Sequence, residues 1–228
     1  MDNNQLFEGN EKMKERPILF SGAMVQAILD GRKTQTRRVV NYDLASNLED
    51  GWGKEVQKIE TDDTPMGGLP VTEWCPYGMV GDRLWVRETF ALLSHDATQE
   101  LNPMKTDDGC LWFRADPTDK HVWDCELDKW KWRPSIHMPR WASRITLEIT
   151  AVRVDRLQDI TEADARAEGC NRIELGPFEV GGMPVHPMTS TYKEAFKGLW
   201  DSINGKRKVC TWNDNPWVWV VEFKKEQN

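Results

Sequence analysis

Apolar residues occur in short clusters separated by polar stretches, and the spacing inside each cluster points to an element. Pro17, Ile18, Leu19 and Phe20 form a brief apolar run, which predicts a first strand after a polar tail over residues 1–16. Ser21 follows as a candidate N-cap. Met24, Val25, Ile28 and Leu29 give the stripe of a half-buried helix, and Gly31 stands where such a helix ends. Residues 34–40 are rich in β-branched side chains and predict a second strand. Residues 41–81 are polar and punctuated by Gly and Pro, which predicts an irregular excursion.

After the turn at Gly81-Asp82, residues 83–90 predict a strand, and a second excursion with a short hairpin or two covers residues 91–139. Ile145, Leu147 and Ile149 alternate with Thr146, Glu148 and Thr150, the strongest strand pattern in the chain, and the run continues through Val152 and Val154. Thr161 with Asp164 resembles a capping box for a short helix that ends at Gly169. Tyr192, Phe196, Leu199, Trp200 and Ile203 mark a second amphipathic helix, closed by Asn204-Gly205. Residues 217–223 alternate aromatic residues and valines as a last strand. Several strands and about three helices without a βαβ rhythm predict an α+β fold: a small barrel of mixed strands with helices packed outside. The expected organisation is one domain over residues 17–226, with insertions at 41–80 and 91–139. No internal repeat or low-complexity tract is visible.

Composition narrows the function classes. A compact chain of 228 residues and 26.4 kDa buries roughly 70% of its unfolded surface, so its core needs no disulfide or metal. A mean hydropathy of −0.65 and the absence of any long uncharged apolar window argue against a membrane protein. The polar N-terminus lacks the apolar stretch of a secretion signal. Five cysteines without a C-x-x-C pair predict free thiols in a reducing cytoplasm. Four scattered histidines give no metal-ligand spacing, and no metal or other cofactor is expected. Twelve Trp against three Tyr supply large amphipathic rings, suited to core packing and to base stacking alike. The formal net charge is −7, so a nucleic-acid role requires a local positive face.

Two segments offer one. Arg32, Lys33, Arg37 and Arg38 place four cations in seven residues. Like charges so close repel unless something negative offsets them. Phosphates would do so; a solvated, charged strand edge is the other reading. Lys129-Trp130-Lys131-Trp132-Arg133, followed by His137, Arg140, Trp141 and Arg144, alternates cation and indole. That pattern suits a base-stacking platform and equally an edge hairpin whose indoles pack inward. The candidate nucleic-acid contacts are Arg32, Lys33, Arg37, Arg38, Lys131, Arg133, Arg140 and Trp141.

The stretch Gly31-Arg32-Lys33-Thr34-Gln35-Thr36-Arg37-Arg38 resembles the G-x-K-x-x-[ST]-x-R signature of the ASCH domain family, within the PUA-like superfamily. Gly81-Asp82-Arg83-Leu84-Trp85-Val86 is similar to that family's G-D-x-[IL]-x-V strand. Leu147-Glu148-Ile149-Thr150 with the helix ending at Gly169 resembles the strand-helix unit that follows, and Trp219 to Phe223 the terminal strand. The Trp-rich form, with Arg-Pro-Ser-Ile-His-Met-Pro-Arg-Trp before the long strand, is similar to phage- and prophage-encoded members.

The resemblance implies a PUA-like β-barrel with a cleft for nucleic acid or nucleotide. It also carries over a hydrolytic set from a bacterial branch acting on N4-acetylcytidine: Lys33 as base, Thr36 as nucleophile and Glu168 as acid, with Arg38 as the motif arginine. The implied partners are RNA, another single-stranded nucleic acid or a modified nucleoside, in the cytoplasm of a bacterial host. The expected function is binding of such a ligand. Hydrolysis of an N4-acetylcytidine-like amide, or of RNA, is the alternative, and a phage structural or interaction protein is the third. No membrane partner is expected.

Overall fold

The computed structural model describes residues 13–41, 71–93, 104–106, 109–116, 131–172, 178–180, 183–185, 190–207 and 209–226. Its strands are β1 (Glu15–Leu19), β2 (Gln35–Val39), β3 (Arg83–Arg87), β4 (Phe90–Leu93), β5 (Met104–Thr106), β6 (Gly109–Phe113), β7 (Thr146–Arg156), β8 (Phe178–Val180), β9 (Met183–Val185) and β10 (Trp217–Lys225). The α-helices are α1 (Gly22–Leu29), α2 (Glu162–Ala167) and α3 (Tyr192–Asn204). The predicted helices and principal strands all form, and the class is α+β.

The main sheet has the order β1-β3-β7-β10-β2, with β1 parallel to β3 and the other pairs antiparallel. Its two edge strands are β1 and β2, which α1 joins in sequence. Among the described residues no backbone pairing links them, so the expected barrel is not closed by a hydrogen-bonded ring. A side chain spans the gap instead: Arg38 Nη2 donates to the Leu19 carbonyl at 2.6 Å.

Strand β10 organises the interior because both of its faces are covered. Trp217, Trp219, Val221 and Phe223 pack with Ile18, Phe20, Val25, Ile28, Leu84, Val86, Leu147 and Ile149. Val218 and Val220 pack the other way, with Ala165 of α2 and Phe196 and Trp200 of α3. That two-sided burial explains a strand that reads as nearly continuous apolar sequence. In β7 the inward positions run Leu147, Ile149, then Val152 and Val154. The parity changes because the pairing with β10 shifts between Glu222 and Phe223. A β-bulge adds one residue and bends the strand, as a curling sheet requires.

The predicted strand over residues 83–90 divides in two. β3 belongs to the main sheet, and β4 begins a separate antiparallel sheet of order β4-β6-β5. The break falls at Glu88, a buried carboxylate held by the Arg144 guanidinium at 2.9 and 3.0 Å. That second sheet, with Met138 and Ala142, forms its own apolar cluster, so the excursion over residues 91–139 is partly ordered sheet. The first strand begins at Glu15, earlier than its apolar run, because parallel pairing carries Glu15 and Arg16 alongside Arg83 and Leu84. The hairpin β8-β9 lies in a Gly/Pro-rich connection that the periodicity reads as loop. Most of the excursion over residues 41–80, and Lys129 and Trp130, lie outside the described residues. Among those described, no helix is long and apolar enough to cross a membrane, and no group of His, Cys, Asp and Glu is arranged to hold a metal.

Candidate functional site

Lys33 lies between α1 and β2, where the chain turns at Gly31 with φ +72°. There it forms an isolated antiparallel bridge with Glu168, the C-cap of α2. Two backbone bonds pin the crossing: Thr34 N donates to Ala167 O at 2.8 Å, and Phe223 N to Thr34 O at 2.8 Å. Gly169 makes the approach possible. Its φ is +84°, and a Cβ on it would stand 2.8 Å from Ala27 Cβ and 3.0 Å from Lys33 Cβ.

The Lys33 side chain is enclosed completely. Its ammonium donates to Glu168 Oε2 at 2.8 Å, to Glu168 O at 2.9 Å and to Gln35 O at 2.8 Å. An ammonium has three protons, and here each has an acceptor. Burial, the largest influence, holds its pKa below the usual lysine value; the Glu168 carboxylate opposes this, and Arg38 adds a smaller lowering. Desolvation thus outweighs the neighbouring cations that the sequence brought to mind.

The second carboxylate oxygen of Glu168 accepts from Arg37 Nη1 at 3.3 Å. Arg37 Nη2 also faces Asp164 at 3.3 Å and Asp155 at 3.9 Å. Arg153 joins the same acids, donating to Asp155 and Asp164 and pairing with Glu222. Asp164 serves twice: it closes the Thr161 capping box and supplies charge to Arg37 and Arg153. The capping box was legible in the sequence; its electrostatic role was not, because it depends on β2 and β7 lying beside α2.

The four clustered cations therefore separate. Lys33 and Arg37 turn inward to carboxylates. Arg32 is exposed, pairs with Asp30 at 2.8 Å and reaches Gly169 O and Asn171 at 3.3 Å. Arg38 takes none of these partners. Its guanidinium lies over the Phe20 ring at 5.4 Å, bonds Leu19 O, and leaves Nε buried without a hydrogen-bond partner.

A cavity of about 210 Å³ runs along the free edge of β2. Thr36, Arg37, Arg38 and Val39 form one wall, and Phe196, Leu199, Trp200, Ile203 and Asn204 of α3 another. Met24, Tyr77, Glu168 and Arg207 complete it. The structure thus brings Thr36, Arg38 and Glu168 to one concave surface, with Lys33 sealed behind Glu168. Lys33 and Thr36 are three positions apart, which would oppose them in a continuous strand. Glu168 links them: Lys33, in the turn before β2, bonds its carboxylate from behind, and Thr36 lines the cavity that Glu168 also lines.

The second basic segment is placed elsewhere. Arg140 is salt-bridged to Glu15 at 2.9 Å, which lowers the Glu15 pKa. Arg144 is committed to Glu88 and Asp116 and stacks on Phe113 at 3.9 Å. Lys131 and Arg133 are exposed, as is Trp141. The Arg133 backbone pairs with Phe90 of β4. None of Lys131, Arg133, Arg140 and Trp141 lines the β2 cavity. Tyr77 and Arg207 do line it although sequence reasoning passed over them. Tyr77 sits in a polar excursion, and Arg207 in a polar turn after α3, so neither carries a periodic signal. Comparison of the chain with protein-family models, curated proteins and solved structures gives no match.

Proposed function

We propose that this chain is an ASCH-type binding domain whose β2 cavity takes a nucleobase or nucleoside unit, free, modified or within single-stranded RNA. One observation carries the reading: Thr36 and Arg38 of the signature-like stretch and Glu168 at the end of α2 line a single cavity opposite an apolar wall that includes Trp200. Its volume of about 210 Å³ lies below the roughly 300–1,000 Å³ of drug-sized pockets, which suits one base better than a long stretch of strand. The cavity follows the edge strand β2, and an edge strand presents backbone N–H and C=O groups that can read a polar ring edge. The near-closure of the sheet by Arg38 fits the PUA-like barrel that the resemblance implies. The unpaired Cys75, Cys170 and Cys210 fit a reducing cytoplasm.

Calorimetric titration with cytidine, N4-acetylcytidine and short single-stranded RNA and DNA tests the proposal, with Arg38→Met as control. Saturable binding that falls about tenfold in the variant, a step of about 1.4 kcal/mol, is the expected result. Absence of binding to all four ligands refutes it.

Hydrolysis of an acetylated base is the second reading, favoured by Thr36 and Glu168 facing the same space. In that chemistry the Thr36 hydroxyl attacks the amide carbonyl, its proton passes to Lys33, Glu168 in its acid form protonates the leaving amine as the C–N bond breaks, and water then cleaves the Thr36 ester to release acetate and restore the hydroxyl. A base needs a lone pair, and the Lys33 ammonium has none while three acceptors hold its protons. Binding is therefore the stronger conclusion. Thr36→Val separates the two: hydrolysis of N4-acetylcytidine disappears in the variant while affinity persists if the second reading holds.

A further inference from the structure

Charges behind the β2 cavity are answered, and those at its mouth are not. Lys33, Arg37 and Arg153 are matched by Glu168, Asp164, Asp155 and Glu222. Arg38 and Arg207 both line the cavity, and among the described residues neither has a carboxylate within ion-pair distance. Both oxygens of Glu168, the acid in the cavity wall, are already taken by Lys33 and Arg37. Arg207 is exposed, in the turn that follows α3. Burial, the largest influence, lowers the Arg38 pKa; Tyr77 and Glu168 oppose it, and Arg207 adds a smaller lowering. Both guanidiniums also act on the Tyr77 phenol: burial raises its pKa, and each arginine pulls it down. In a chain with a net charge of −7, two cations without an ion-pair partner among the described residues, beside one phenol, carry an electrostatic cost that a bound anion would reduce.

We propose that Arg38 and Arg207, beside Tyr77, form a phosphate subsite at the mouth of the cavity, so that its ligand is a nucleotide and not a bare nucleoside. The inference rests on the base-binding reading above and adds the charged half of the ligand. The Arg38 plane is fixed by Phe20 at 5.4 Å and by the Leu19 carbonyl at 2.6 Å. Its Nε, left without a hydrogen-bond partner, and the exposed fork of Arg207 would supply the paired N–H donors that phosphate oxygens accept. The apolar side chains of α3 would hold the base, with the phosphate toward solvent, where Arg207 lies. The phosphate could belong to a free monophosphate or to the backbone of a strand, and the ligand series distinguishes the two.

Cytidine, cytidine 5′-monophosphate and a short single-stranded RNA are titrated into the wild-type chain and into Arg207→Gln, an exposed position whose substitution leaves the core intact. The expected result is that the phosphorylated ligand binds at least about tenfold more tightly than cytidine, one 1.4 kcal/mol step. Arg207→Gln loses that gain, with a far smaller effect on cytidine than on the phosphorylated ligands, and added salt weakens the phosphorylated ligands most. A gain confined to RNA assigns the phosphate to a strand; a gain shared by the monophosphate assigns it to a nucleotide. Equal affinity for cytidine and both phosphorylated ligands, unmoved by Arg207→Gln, overturns the subsite and leaves the base-binding reading standing. No binding of any of the three overturns both.

Discussion

Lys33 and Glu168 meet twice, through a backbone β-bridge and through an ion pair of 2.8 Å, although 135 residues separate them. The pair fastens the start of β2 to the end of α2. It also fixes which acid faces the cavity and how its oxygens are shared with Arg37. Removing one partner leaves a buried charge without its counter-ion, which costs about 3–5 kcal/mol. Lys33→Met alone is expected to lose that much in urea unfolding. Combined with Glu168→Gln it should lose clearly less than the sum of the two single changes, because the shared interaction is counted twice. Additive losses would show that the two side chains do not depend on each other.

Gly169 is a steric requirement of the same crossing. Alanine there meets the Ala27 and Lys33 side chains at 2.8 and 3.0 Å and must hold φ +84°. Left-handed backbone costs an L-residue about 1–2 kcal/mol and overpacking about 1–3 kcal/mol. Gly169→Ala should therefore lower stability by about 2–5 kcal/mol, read from the denaturant midpoint. Gly31→Ala makes a useful contrast: it shares a positive φ but has open space around it, so it should lose only the backbone part.

Cys170 reports on the same buried charges. Burial, and secondarily the Glu168 carboxylate, push its thiol from 9.0 up to about 11, with Lys33 opposing. The folded state thus holds the thiol proton more tightly than the unfolded chain. Stability from this group is present below pH 9 and is lost as pH rises from 9 toward about 11. Cys170→Ala should have a flatter stability profile across that interval. The wild-type thiol should resist alkylation at pH 8 until denaturant is added; prompt labelling of the folded protein at that pH would contradict the assignment.

Glu88 and Arg144 hold the junction between the two sheets. Glu88 is 1% exposed, and burial raises its pKa although Arg144 opposes. Arg144→Met strips the carboxylate of its forked partner and should cost about 3–5 kcal/mol at neutral pH. Arg144 opposes the raised Glu88 pKa, so without it that pKa rises further, the variant takes up the proton at higher pH than the wild type, and the deficit should shrink as pH falls. Thermal melts of wild type and variant between neutral and mildly acidic pH check the sign. A deficit independent of pH would point to lost packing on Phe113 instead.

Much of the local structure was legible because it depends on neighbours in sequence. The α1 stripe, the Thr161–Asp164 box, the left-handed Gly31 and Gly169, and the alternation of β7 and β10 are all short-range patterns. The change of parity in β7, from Leu147 and Ile149 to Val152 and Val154, was a visible trace of the bulge. The split of residues 83–90 was not legible, since Glu88 looks like a solvent-facing strand residue until Arg144 is beside it. The cationic run from Arg32 to Arg38 misled in the same way. Its charges suggest one positive surface, yet their partners lie on α2, β7 and the end of β1.

The sequence by itself determined the three helices and the principal strands, because capping, turn conformation and side-chain periodicity act over a few residues. It also set the pool of charged groups near Lys33. Only the tertiary structure decided which of those charges are neutralised. Glu168 and Asp164 reach Lys33 and Arg37 by the docking of α2 against β2, while the docking of α3 brings Arg207 to the cavity that Arg38 lines. Ion pairing depends on separations of a few ångströms between segments far apart in the chain, and those separations are properties of the packing alone.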